Sequence, residues 1–173
     1  MRDWVVGGAV IEASTPGLSL IAPPPGAVLL VENQRPNGDR DWTPPGGVID
    51  AGEAVVDGLT REVREETGLQ VLRWSGPVYE IVAEAPGLGW RLRVEVHRAL
   101  EVRGEVSVGA DPDGIVVAAD WVGDDGCEDR LCDAHPWVRE PLLEWMADRA
   151  GAARLFRYAI EGERPAELSI TRW

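Results

Sequence analysis

The sequence predicts an α/β fold, and three patterns predict it. Short aliphatic runs bounded by proline and glycine read as strands. The stretch from about Glu53 to Thr67 favours helix and is followed by Gly68, where a C-terminal capping glycine belongs. More strand-like runs and a second helical segment follow, so both kinds of element are mixed along one chain.

In chain order, residues 4–12 (WVVGGAVIE) and 26–32 (GAVLLVE) read as strands separated by the turn-rich PGLSLIAPPPG. The first is interrupted by glycines and stopped by Glu12, so it lacks the apolar stretch of a signal peptide. No apolar run approaches a membrane span, and the expected location is cytoplasmic. The polar loop NQRPNGDRD leads to Trp42 and to the Pro-Pro-Gly-Gly of residues 44–47, where the chain must bend. Beyond the helix, residues 69–74, 78–84, 90–100 and 115–122 read as strands. Residues 136–150 read as a second helix with Leu142, Leu143, Trp145 and Met146 as its apolar contacts, and Pro141 places its start there or just before. The tail RLFRYAIEGERPAELSITRW reads as a β-hairpin. The expected organisation is one domain over residues 1–150 and an extension over 151–173, packed on that domain or on a partner subunit.

With 30 acidic against 17 basic residues, the formal net charge of −13 repels nucleic acid and acidic membrane surfaces. A polyanionic small molecule would therefore need local cations to bind. The two cysteines, Cys127 and Cys132, lie in what reads as an acidic loop and accompany only two histidines, which argues for reduced thiols over a zinc cluster or a disulfide.

Glu62, Glu65 and Glu66 crowd one stretch of the first helix, although like charges one turn apart repel. At about 100° per residue they share a roughly 100° arc beside the apolar Val55, Val56, Leu59 and Val63. Carboxylates at the edge of a packed face suit a hard divalent cation, which takes oxygen ligands and substrate phosphates. The competing reading is a solvated acidic face paired with Arg61 and Arg64, and composition alone does not separate the two.

Spacing does separate them. Gly47, five residues, Glu53, seven residues, and then Arg61-Glu62-Val63-Arg64-Glu65-Glu66-Thr67-Gly68-Leu69 resembles the signature of Nudix hydrolases at every defined position. The resemblance implies an α/β/α sandwich with a central mixed sheet over roughly residues 4–150, and it leaves the tail unexplained. It implies hydrolysis of a pyrophosphate bond in a small-molecule nucleotide substrate, with Mg²⁺ or Mn²⁺ as cofactor. Carried over, Glu62 and Glu66 are the principal metal ligands, and Glu65 is a further ligand or orients the attacking water. The carbonyl of Gly46 or Gly47 completes the set, while Arg61 and Glu53 brace the loop against the helix. The general base is left open between a motif glutamate and Asp111 or Asp113 of GADPDG, itself a strong turn sequence.

Outside the motif, Arg35 and Arg40 are candidates for phosphate contacts, Asp113 for a substrate contact, and Trp42 for stacking on a base. His97 and His135 are not singled out as catalytic. Pro86 falls near the proline of ADP-ribose pyrophosphatases without assigning that subgroup, and the DWTPPGG approach inclines the reading toward nucleoside triphosphates. A catalytically idle domain that senses nucleotides is the alternative. A homodimer joined through the C-terminal hairpin is the assembly to test.

Overall fold

A computed structural model describes residues 1–20, 22–164 and 167–173. Its strands are β1 (Arg2–Val10), β2 (Val28–Gln34), β3 (Arg40–Thr43), β4 (Gly46–Val48), β5 (Gln70–Ala85), β6 (Trp90–Arg103), β7 (Val116–Val122), β8 (Arg154–Glu161) and β9 (Ser169–Arg172). Helix α1 (Val55–Thr67) lies between β4 and β5, and α2 (Asp124–Arg130) and α3 (Pro136–Ala147) follow β7. Six strands form one mixed sheet in the order β4-β1-β6-β5-β8-β9, with β1–β6 and β5–β8 parallel. The second sheet, β3-β2-β7, is antiparallel.

Strand alternation explains how β1 serves two layers. Ala9 and Ile11 pack with Leu59 and Val63 of α1, whereas Val10 joins Val28, Leu30, Ile81, Val96 and the apolar residues of α3. The large sheet therefore has α1 on one face and α3 on the other, the α/β/α sandwich. Gly68 ends α1 at φ 74°, a left-handed conformation that favours glycine, with its N–H donating to the Arg64 carbonyl.

Four sequence expectations are corrected. Residues 69–74 and 78–84 are parts of one strand, β5, kept continuous through register shifts between Val71 and Tyr79 while β6 supplies the pairing. Residues 40–43 and 46–48, expected as loop and bend, are short strands because β2 and β1 pair with them. The acidic segment around Cys127 is helical, anchored by that buried side chain alone, so no apolar period marked it. Helix α3 begins at Pro136 and runs through Pro141. Burial of Trp137, Leu142 and Trp145 offsets the roughly 3 kcal/mol that an internal proline costs.

The tail forms a hairpin, with β8 alongside β5 and β9 antiparallel to β8. Pro165 and Ala166 of its connecting turn lie outside the described residues. Cys127 is buried and Cys132 exposed, and neither is in a disulfide. Among the described residues no helix is long and apolar enough to cross a membrane.

Candidate active site

A cavity of about 590 Å³ opens between the two sheets and α1. The β4 backbone, α1, the β2–β3 hairpin, the loop before β7 and the start of α3 all reach its wall.

The acidic side is built by α1 against β4. Glu66 is 8% exposed, and its Oε2 accepts a hydrogen bond from the Gly46 N–H at 2.8 Å. Burial raises its pKa to about 8, opposed by that hydrogen bond and assisted by the charges of Glu62, Asp111 and Glu65. Glu62 is also shifted upward, first by burial, although Arg61 Nη1 donates to it at 2.5 Å. A Cβ on Gly47 would overlap the Glu62 carboxylate, so a larger residue there would push that carboxylate out of its place. Gly46 adopts φ 142° and abuts the Gly7 carbonyl in the same way.

Arg61 is the hub of this side. It reaches Glu53 at 3.0 Å, Glu65 at 3.6 Å and Asp50 at 3.9 Å besides Glu62. The Arg61 hydrogen bond holds the Glu53 carboxyl below its ordinary range, and the arginine is itself shifted upward. Glu53 and Glu65 do not line the cavity, whereas Arg61, Glu62 and Glu66 do.

The loop before β7 separates two aspartates that the sequence leaves equivalent. Asp111 accepts backbone hydrogen bonds from Asp113, Ile115 and Val116 at 2.9–3.0 Å, so both its oxygens are engaged in shaping the turn. Asp113 is exposed, lines the cavity and lies close enough to raise the Glu62 pKa.

Strand period sorts the substrate candidates. In the β2–β3 pair Asn33 faces Asp41 and Val31 faces Thr43, and Asn33, Asp41 and Thr43 all line the cavity. Trp42 and Arg40 alternate to the opposite face, where Trp42 lies under the Arg130 guanidinium and Arg40 pairs with Glu32. Arg35 lines the cavity, with Nη2 donating to both oxygens of Asp41 at 3.0 and 2.8 Å. Sequence reasoning missed Asn33, Asp41, His135 and Trp137. Asp41 faces the cavity because β3 pairs with β2, which the loop-like sequence around it did not signal. His135 and Trp137 meet the cavity only because α3 starts at Pro136.

Among the described residues no three His, Cys, Asp or Glu side chains converge in a metal-holding cluster. The donor set nonetheless fits a hard cation. Glu66 is buried and Glu62 half-buried, burial shifts both pKa values upward, carbonyl-bearing glycines lie beside them, and every candidate donor is oxygen.

An α/β/α sandwich whose glycine-flanked acidic helix opens on a deep cavity is the architecture of a Nudix-type pyrophosphohydrolase. The family model described as NUDIX domain matches residues 17–145, and the chain belongs to that family. Among solved structures, it is similar to the ORF135 protein of E. coli (22% identity, TM-score 0.65, covering 87% of this chain and 93% of that one). It is also similar to a mutator MutT protein of Bacillus halodurans (19%, TM-score 0.62, 98% and 97%). A MutT NUDIX hydrolase of Burkholderia pseudomallei is 26% identical, with a TM-score of 0.56 and coverage of 72% and 86%. No curated protein matches the sequence significantly.

Proposed function

We propose that the protein hydrolyses a pyrophosphate linkage in a nucleotide-type substrate with the help of Mg²⁺ or Mn²⁺. The substrate is a nucleoside triphosphate or a nucleoside diphosphate joined to another moiety. The observation that carries this reading is Glu66, a buried carboxyl with its pKa pushed up to about 8 beside the half-buried Glu62 on the wall of a substrate-sized cavity. Nudix enzymes use divalent cations generally. Structural neighbours include proteins named MutT and one named an ADP-ribose pyrophosphatase, so both substrate classes stay within this proposal.

In this reading Glu62, Glu66 and a carbonyl of Gly46 or Gly47 hold the cation. When bound, it neutralises charge on the pyrophosphate oxygens and lowers the cost of attack at phosphorus. Arg61 keeps Glu62 oriented, and Glu53 keeps Arg61 oriented. Glu65 is an additional ligand or helps position the attacking water. Asp113 is the free carboxylate in position to accept a proton, because Asp111 is engaged by three backbone N–H groups.

The test is phosphate release from nucleoside triphosphates, nucleotide sugars, ADP-ribose and dinucleoside polyphosphates in Mg²⁺ or Mn²⁺, beside Glu66→Gln. Turnover of one class that falls at least about a hundredfold in the variant is the expected result. A second reading, a nucleotide sensor without turnover, is favoured by the 2.5 Å contact that ties Glu62 to Arg61. Nucleotide binding with no turnover in either metal would establish it.

A further inference from the structure

We propose that the part of the cavity lined by Asn33, His135 and Trp137 is the subsite for the substrate's planar heterocycle, with the Asn33 amide reading its donor–acceptor edge and His135 stacking on its face. This rests on the nucleotide-type substrate proposed above and names the groups that select its base.

Asn33 supplies the first observation. It is 6% exposed, and its one side-chain hydrogen bond runs from Nδ2 to Thr43 Oγ1 at 2.9 Å. A primary amide has two donors and one acceptor oxygen, so the carbonyl and the second N–H are unaccounted for. Among the described residues no fully enclosed side-chain nitrogen or oxygen lacks a partner. The Asn33 carbonyl is therefore open, and the cavity whose wall it forms is the space it opens to. A nearly buried amide offering one donor and one acceptor complements the adjacent donor and acceptor of a nucleobase edge.

His135 supplies the second. Its ring lies flat on Trp137, with centroids 4.2 Å apart and planes 12° apart, and Trp137 is in turn braced edge-on by Trp90 at 6.2 Å. His135 keeps accessible surface on the cavity wall, and desolvation by its neighbours lowers its pKa, which favours the neutral ring. A braced, neutral aromatic plane at a cavity wall is a stacking platform.

Charge separates this region from the phosphate side. Arg61, Glu62 and Glu66 line one side of the cavity, with Arg61 Nη1 2.5 Å from Glu62 and 3.6 Å from Glu65, whereas the charged groups that act on His135 are Asp41 and Arg35. Those last two form a bidentate pair with each other, so their charges largely cancel. Ile81, Leu92, Val94 and Val96 complete an apolar wall. That lining suits an uncharged ring better than a phosphate.

Calorimetric titration in Mg²⁺ of ADP, GDP, CDP and UDP, beside ribose 5-diphosphate, tests the assignment on the wild type, Asn33→Leu and His135→Ala. At least one nucleoside diphosphate should bind about tenfold or more tightly than ribose 5-diphosphate, and both variants should narrow that gap. The proposal is overturned if the base confers no preference, or if the preference survives both substitutions. Should Asn33→Leu fail to fold, the exposed His135→Ala carries the decision. Phosphate release by the wild type and Glu66→Gln is measured separately. Loss of the base preference with intact turnover sinks only this subsite, and a base preference without turnover sinks only the hydrolase reading.

Discussion

Glu66 gives the site its pH behaviour. Its folded pKa of about 8 lies above the 4.5 of an ordinary glutamate, because burial disfavours the charged form. Between those values the metal-free folded chain holds a proton that the unfolded chain has released, so stability falls as pH rises, by up to about 1.4 kcal/mol per unit. The melting temperature of metal-free protein should decline from pH 5 to pH 8. Saturating Mg²⁺ should raise it most at the alkaline end, where the carboxylate needs no proton removed before it binds the ion. A melting temperature that is flat over this range would count against the buried, protonated Glu66. At Gly47, a single methyl group occupies the space of the Glu62 carboxylate. Gly47→Ala should cut turnover more than about tenfold, read as kcat/KM beside the melting temperature.

Among the elements, the loop before β7 makes the most specific demand. Three backbone N–H groups converge on Asp111, so Asp111→Ala releases the turn that presents Asp113. The variant should lose about 1–2 kcal/mol of stability in urea titration and, with Asp113 as the proton acceptor proposed above, lose turnover as Asp113→Ala should. If Asp111→Ala is fully active, Asp113 does not depend on the turn. The β2–β3 hairpin shows how local period becomes function. Arg40 and Trp42 have attractive chemistry, but their parity turns them away from the cavity, while Asp41 and Thr43 face it. Nothing in residue type reveals that choice. It requires knowing that residues 40–43 pair with β2, and the prolines and asparagine nearby make the segment read as loop.

For the molecule as a whole, the tail is part of the core. Phe156, Tyr158 and Ile160 are each at most 3% exposed, and they pack with Tyr79, Ile81 and Trp145. Arg154 and Arg172 pair with Glu144 of α3, and Tyr158 donates to Glu140. Truncation after Gly151 would strip β8 from β5 and expose that cluster. The shortened chain should lose its cooperative thermal transition, and Phe156→Ala should cost about 3–5 kcal/mol in denaturant titration. A truncated chain that melts as the full chain does and differs only in sedimentation would make the tail an assembly element.

The sequence by itself determined the family, the acidic helix and the glycine bend before it. Those features are written in local spacing, where one turn of helix and a close backbone approach each demand particular residue types. It also made Asp111 and Asp113 the candidate loop carboxylates without separating them. The tertiary structure decided which of the two stays free, which face of β3 meets the cavity, and that α3 starts early enough to bring His135 and Trp137 to its wall. The physical reason is that these outcomes depend on pairing and packing between segments far apart in the chain. Trp137 is buried by strands that lie before and after it, and that burial outweighs the local signal of Pro141.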